Sequence, residues 1–221
     1  MRTREDIKRD VIESLYWDSR VDASEVTVEV GDGTVVLGGS VPTYRARLAA
    51  EHDARVIGEV GEVRNDVVVR YPTSDAPVTD DEIRVELLSR LNLDPDIDAA
   101  NIEVAVDDGW VTLRGSIPTL WQKDLVDDVV LTSRGVLGAD NELAIVPTRT
   151  GSDLAIADDI VAELERRLVV DPSEVDVTVV NGRVTLDGTV PDWRTRNAVH
   201  EAARYTLGVV DVVDNLAISR W

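Results

Sequence analysis

One segment recurs three times. Gly33-Thr-Val-Val-Leu-Gly-Gly39, Gly109-Trp-Val-Thr-Leu-Arg-Gly115 and Gly182-Arg-Val-Thr-Leu-Asp-Gly188 lie 76 and then 73 residues apart. A fixed period of this length means that one supersecondary unit is repeated, so any fold for the chain must be assembled from copies of it. The same offsets carry nearly every other feature without a gap, and the three-residue difference falls between repeats. The 221 residues therefore read as three small units, not the one or two domains that length alone suggests. Each is about 70 residues, near the size at which a lone core is marginal, so packing between units is expected to add stability.

Each unit opens with a helical stripe. Ile7, Val11 and Leu15 recur as Ile83, Leu87 and Leu91, and as Ile156, Ile160 and Leu164; the spacing of four is that of one face of an amphipathic helix. Thr79 with Glu82 has the pattern of a capping box, and Thr3 and Ser152 are N-cap residues for the other copies. Alternating strands follow: Val26, Val28, Val30; Ile102, Val104, Val106; Val175, Val177, Val179. A period of two buries one face. A second strand carries Val35 and Leu37, Val111 and Leu113, Val184 and Leu186. Between the two strands stand Asp32-Gly33, Asp108-Gly109 and Asn181-Gly182, dipeptides suited to a type I′ hairpin turn because both central residues need positive φ.

The second strand ends in Gly-x-Val/Ile-Pro, at Pro42, Pro118 and Pro191, since proline cannot donate to a ladder. Thr43, Thr119 and Asp192 then cap a second helix, and a last strand carries Val67 and Val69, Leu143 and Ile145, Leu216 and Ile218. The class is α+β: three tandem αββαβ modules, each a small three-stranded mixed sheet with two helices on one face. The other sheet face reads polar, through Thr27, Glu29, Glu103, Asp176, Thr112, Arg114 and Asp187. The domains expected are 1–71, 78–147 and 152–221, joined by Tyr71-Pro-Thr-Ser-Asp-Ala-Pro77 and Pro147-Thr-Arg-Thr-Gly151.

A helix, a hairpin carrying G-x-V-x-L-x-G-x-V-P, a second helix, then G-V…V-x-N and a short strand resembles the BON domain. The residues that carry the resemblance are Val35, Leu37, Gly39, Val41 and Pro42; Val111, Leu113, Gly115, Ile117 and Pro118; and Val184, Leu186, Gly188, Val190, Pro191, Gly208, Val209 and Asn215. In the first copy the late glycine is Gly58, one place earlier by register than Gly135 and Gly208. The resemblance implies a binding or attachment module with no catalytic motif, of a kind found in envelope, osmotic-stress and channel-associated proteins, with phospholipid contact as the usual proposal.

Composition removes whole classes. Lys plus Arg number 23 against 43 Asp plus Glu, a formal net charge of −20, which repels nucleic-acid phosphates. No run approaches the ~20 apolar residues of a membrane-spanning helix. There is no cysteine, hence no disulfide, thiolate metal site or cysteine nucleophile. The acidity is spread over all three repeats and fits a chain kept soluble in concentrated salt. Arg2, Arg4, Lys8 and Arg9 form the single modest basic patch. No apolar run follows them, so no secretory signal is read and the expected location is cytoplasmic, or periplasmic if a leader is removed.

The chemistry-bearing residues are few. Asp94-Pro-Asp96-Ile-Asp98 resembles the start of a calcium loop, but Ala99 and Ala105 stand where that loop needs glycine and an acid. Asp22, Asp98 and Asp171 share a register, so Asx turns entering the first strand are the expectation and a weak cation site the alternative. His52 and His200 lie on second helices amid polar neighbours and read as surface residues. No nucleophile elbow, P-loop or dinucleotide motif is present, and the Gly38-Gly39 pair reads as a close backbone approach. Of the tryptophans, Trp17, Trp110, Trp121, Trp193 and Trp221, core or inter-domain packing is the expectation and contact with lipid or a partner the alternative.

The functional expectation is a non-enzymatic binding scaffold related to osmotic or envelope stress, with no cofactor and no metal. Its partners would be phospholipid, envelope components or a protein. The attachment surface expected is Pro42, Tyr44, Arg45, Pro118, Trp121, Pro191, Trp193 and Arg194. A cytoplasmic cation or small-ligand sensor, or a protein–protein assembly module, is the alternative.

Overall fold

A computed structural model describes residues 3–31, 34–58, 60–71, 78–148, 151–166 and 174–219. Module 1 contains α1 (Arg4–Trp17), β1 (Val26–Val30), β2 (Thr34–Val41), α2 (Tyr44–Arg55), β3 (Glu62–Asn65) and β4 (Val68–Val69). Module 2 contains α3 (Asp80–Leu93), β5 (Ile102–Asp107), β6 (Trp110–Ile117), α4 (Leu120–Leu131), β7 (Gly138–Asn141) and β8 (Ala144–Ile145). Module 3 contains α5 (Asp153–Arg166), β9 (Val175–Val180), β10 (Arg183–Val190), α6 (Trp193–Arg204) and β11 (Asp211–Ile218). By contact density the chain divides into two compact units, residues 1–90, 104–113 and 128–141, and residues 91–103, 114–127 and 142–221.

Each sheet has the hairpin strand at one edge, the long strand in the middle and the last strand at the other edge. The hairpin pairs antiparallel, Val28 with Leu37 and Val177 with Leu186. The last strand pairs parallel, as it must after crossing the sheet through a helix. Its register is the same in all three copies: Thr34 meets Glu62, Trp110 meets Gly138 and Arg183 meets Asp211. The expected stripes Ile7/Val11/Leu15, Ile83/Leu87/Leu91 and Ile156/Ile160/Leu164 are all buried, as are the inward residues of the middle strand, Val35/Leu37, Val111/Leu113 and Val184/Leu186; in module 3 the stripe and the strand residues form one core cluster.

The local chemistry follows the repeat. Thr3 forms a capping box with Asp6, Thr79 exchanges hydrogen bonds with Glu82, and Ser152 Oγ accepts from Ala155 N. Thr43, Thr119 and Asp192 accept from Ala46, Gln122 and Thr195 amides at the starts of the second helices. Asp108 (φ 46°) with Gly109 (φ 76°), and Asn181 (φ 52°) with Gly182 (φ 75°), adopt the left-handed pair of a type I′ turn. Asp32-Gly33 and Asp171 lie outside the described residues. Asp22 and Asp98 each cap a short 3₁₀ turn, Ala23–Glu25 and Ala99–Asn101, that leads into the first strand.

Two features refine the sequence reading. The glycine at Gly39, Gly115 and Gly188 is not at the strand end but two residues inside it, with positive φ in each copy. A Cβ there would overlap the carbonyl oxygen of Glu25, Asn101 and Glu174 respectively. The last strand is continuous only in module 3. In modules 1 and 2 it is interrupted between β3 and β4 and between β7 and β8, and Val67 and Leu143 fall in the gaps. An Asx turn lies at the break in module 1, where Asn65 Oδ1 accepts from the Val67 amide at 3.2 Å. Asp214 does the same for Leu216 at 2.9 Å, but there the ladder stays closed around it. Gly135 and Gly208 are left-handed after the second helix, at φ 89° and 94°. Residue 59, their register partner in module 1, lies outside the described residues.

Candidate interaction surface

The corner between the middle strand and the second helix is built the same way in each module. The strand stops before proline, the next side chain caps the helix, and the first helical turn projects whatever follows. What it projects differs. In module 1, Pro42 is half-buried, Arg45 is exposed and Tyr44 is buried at 9% exposure. In module 2, Pro118 and Trp121 are half-buried. In module 3, Pro191, Trp193 and Arg194 are all exposed, Trp193 at 63%. The Arg196 guanidinium lies 5.0 Å from the Trp193 ring centroid, a cation–π geometry, and its Nε donates to Asp214 Oδ2 at 2.9 Å. The Asp192 carboxyl accepts from Thr195 N at 2.8 Å and Thr195 Oγ1 at 2.9 Å, and these bonds hold its pKa below the usual carboxylate value.

Most of the described tryptophans do not pack as core. Trp17 is 81% exposed, and Trp110 and Trp193 also face outward; only Trp121 is half-buried. Trp17 ends α1 beside the equally exposed Tyr16, with their rings 6.2 Å apart edge to face. Trp110 lies across the Gly138 backbone, where a Cβ would strike its ring, and its indole N–H donates to Asp140 Oδ2 at 2.8 Å. It thus belongs to the open sheet face, which is knitted by cross-strand pairs such as Arg114–Glu142 at 2.7 Å and Arg183–Asp211 at 2.9 Å. Trp221 lies outside the described residues.

The acidic turns are internally satisfied: Asp94 Oδ1 accepts from Asp96 N at 2.9 Å and Asp98 Oδ1 from Ala100 N at 3.3 Å. His52 is exposed and His200 half-buried on their helices. Among the described residues no group of three His, Cys, Asp or Glu side chains gathers as a metal would require.

Three arrangements escape a motif-based reading. Asp80, first residue of α3, accepts from the Asp108 and Gly109 amides at 2.9 and 2.8 Å, and Asp153 grips Asn181 and Gly182 at 2.8 and 3.0 Å. Arg4 stands at that register in module 1. A basic residue on each second helix reaches the last strand: Arg47 Nη2 to Asn65 O, Lys123 Nζ to Leu143 O and Arg196 to Asp214. Both sets share the offsets of the repeat, and that was the signal available. The third, Asp18–Arg20–Asp53, is confined to module 1 and has no such signal.

The chain belongs to the BON domain family: the family model matches residues 3–71, 79–147 and 152–220. No curated protein matches it. Among solved structures it is similar to CdsD, a structural protein of the type III secretion system of Chlamydia trachomatis, at 15% identity over 97% of this chain and 92% of that one, TM-score 0.27. A C-terminal domain of CdsD gives 16% identity over 99% and 100% of the two chains, TM-score 0.27. The PrgH periplasmic domain gives 14% identity over 95% and 100%, TM-score 0.23. No helix among the described residues is long and apolar enough to cross a membrane.

Proposed function

We propose that the chain is a non-enzymatic scaffold of three modules, 1–71, 78–147 and 152–221, that attaches to a phospholipid or envelope surface through its strand-to-helix corners. The observation that carries this reading is the module 3 corner. Trp193 offers an exposed amphipathic ring, held by Arg196 and flanked by Pro191 and Arg194, and such a ring suits a boundary between water and an apolar layer. Pro42 and Arg45, and Pro118 and Trp121, would add weaker contacts at the other corners, and several weak contacts on one chain raise avidity. Tyr44 is buried and so does not form part of this surface. The net charge of −20 sets the lipid preference, because anionic leaflets attract basic segments and repel acidic ones.

Liposome flotation of the full chain at low salt tests the reading. Binding is expected to zwitterionic vesicles, weaker binding to anionic ones, and a loss in Trp193→Ala. No flotation with either lipid would remove it. A protein partner is the second reading, favoured by the exposed Ile12, Tyr16 and Trp17 on α1, since aromatic residues are enriched in protein interfaces. Under that reading, Trp17→Ala and not Trp193→Ala would abolish capture of the partner.

A further inference from the structure

Module 1 buries a carboxyl group where its siblings bury hydrocarbon. Asp53 on α2 is 7% exposed, and its register partners are the buried Val129 in module 2 and Ala202 in module 3. Its Oδ2 has no hydrogen-bond partner among the described residues. An ionised carboxylate in that position gives up its water without receiving a donor in exchange. The Asp18 carboxyl, from the C-cap of α1, lies beside it within hydrogen-bonding reach. Arg20 does not supply the missing donor. Its Nε donates to both Asp18 oxygens, at 3.0 and 2.9 Å, while its Nη2 stays 4.0 Å from Asp53 Oδ1. Two carboxyl groups therefore face each other with one cation, and that cation is engaged by Asp18.

We propose that Asp53 carries a proton that it shares with Asp18, so that module 1, unlike modules 2 and 3, holds α1 to α2 most firmly in mild acid and loosens as that proton leaves. The shared proton gives the buried Asp53 carboxyl a hydrogen bond to Asp18 and removes one of two adjacent negative charges. The charged groups that act on Asp53 are Asp18 and Arg20 from the end of α1 and His52 from α2 itself. Nearby on the surrounding elements, Asp10 is paired with Arg9, Glu51 with Arg55, and Arg64 of β3 with Asp66. Strand β2 buries Val35, Leu37, Ser40 and Val41, none of them charged, and the Ser40 hydroxyl donates to Glu25 Oε2.

The two groups act in opposite directions along the pH axis. Burial, followed by the charge of Asp18, pushes the Asp53 carboxyl above its ordinary 3.8. Its stabilising effect is complete below 3.8 and is lost as pH rises through the displaced value. The hydrogen bonds from Arg20 bring Asp18 down to about 2, so its effect is present above 3.8 and is lost only as pH falls toward 2. Between those limits both contribute, and on the alkaline side Asp53 alone withdraws its share.

Amide hydrogen exchange on the full chain, from about pH 4 to about pH 8 and corrected for intrinsic rates, reads this directly. The α3–α6 peptides serve as references within the same sample. The expected result is a several-fold fall in protection of α1 and α2 relative to α3–α6 as pH rises. Asp53→Asn, neutral throughout, abolishes that relative fall, and so does Asp53→Ala, which installs the residue found at position 202. If α1 and α2 track the other helices in the unsubstituted chain, or if the fall persists in both variants, the proposal is overturned. Carboxyl NMR titration gives a second readout: Asp53 titrating at or below the ordinary aspartate value would overturn it even if a variant fails to fold.

Discussion

Gly38 and Gly39 are neighbours in one strand with different physical reasons to be glycine. A Cβ on Gly38 meets only the Thr27 hydroxyl, at 2.9 Å, the end of a side chain that can turn away. A Cβ on Gly39 would occupy the space of the Glu25 carbonyl oxygen, and φ there is 93°. The backbone of the preceding turn cannot retreat without breaking the hairpin register. Gly39→Ala is therefore expected to cost about 3 kcal/mol and Gly38→Ala well under half of that. Urea unfolding of both variants checks the contrast, and equal losses would contradict it. Asp53 makes the same point with charge: one residue, at a position its siblings fill with Val129 and Ala202, gives one module a dependence on pH that its fold does not require.

At the scale of the element, the last strand is the weak part of each module. It lies at the sheet edge, follows a helix and a loop, and pairs along one side only. Modules 1 and 2 interrupt it, with Asn65 closing its turn through the Val67 amide. Arg47, Lys123 and Arg196 offset this weakness by reaching from the second helix to the strand beside them. Lys123 Nζ donates to Leu143 O at 2.7 Å, so Lys123→Met keeps the stem packed and removes one charged donor. It is expected to cost about 1 kcal/mol and to raise hydrogen exchange in β7 and β8 before it raises exchange in β5. Arg196→Met breaks both the bond to Asp214 and the stacking on Trp193, so a reduced lipid response is expected together with a looser β11.

On the scale of the whole molecule, charge dominates. A net −20 over 221 residues opposes compaction through self-repulsion, and added salt screens it. The melting temperature of the full chain is expected to rise as KCl increases from low to molar concentration. A flat or falling response would mean that the acidic residues are individually solvated and do not repel collectively. Within the two compact units, neighbouring modules are also tied by specific bonds. In the first, the Tyr71 hydroxyl donates to Val136 O at 2.9 Å. In the second, Arg204 pairs with Asp124. Tyr71 sits half-buried at that contact, and the loss of water raises its pKa above the usual phenol value.

The repeat makes most of the fold legible in the sequence. Periodicities of four and two, paired turn residues and caps at fixed offsets are local properties, and local sterics and hydrogen bonding decide them within a few residues. Copying them three times in register turned separate weak signals into one consistent pattern. Exposure was not legible in the same way. Tyr44, Trp121 and Trp193 lie in or next to the first turn of second helices, yet one is buried, one half-buried and one exposed, because the space beside each depends on residues distant in sequence. Asp53 is buried beside Asp18, which the end of α1 brings to it, and Arg20 bonds Asp18 closely while staying 4.0 Å from Asp53 Oδ1. The elements, their order and their turns follow from the residues themselves, since these rest on neighbours along the chain. The tertiary structure alone decided which side chains meet water, which meet each other and which carry a displaced proton, since burial and charge proximity are set by contacts across the fold.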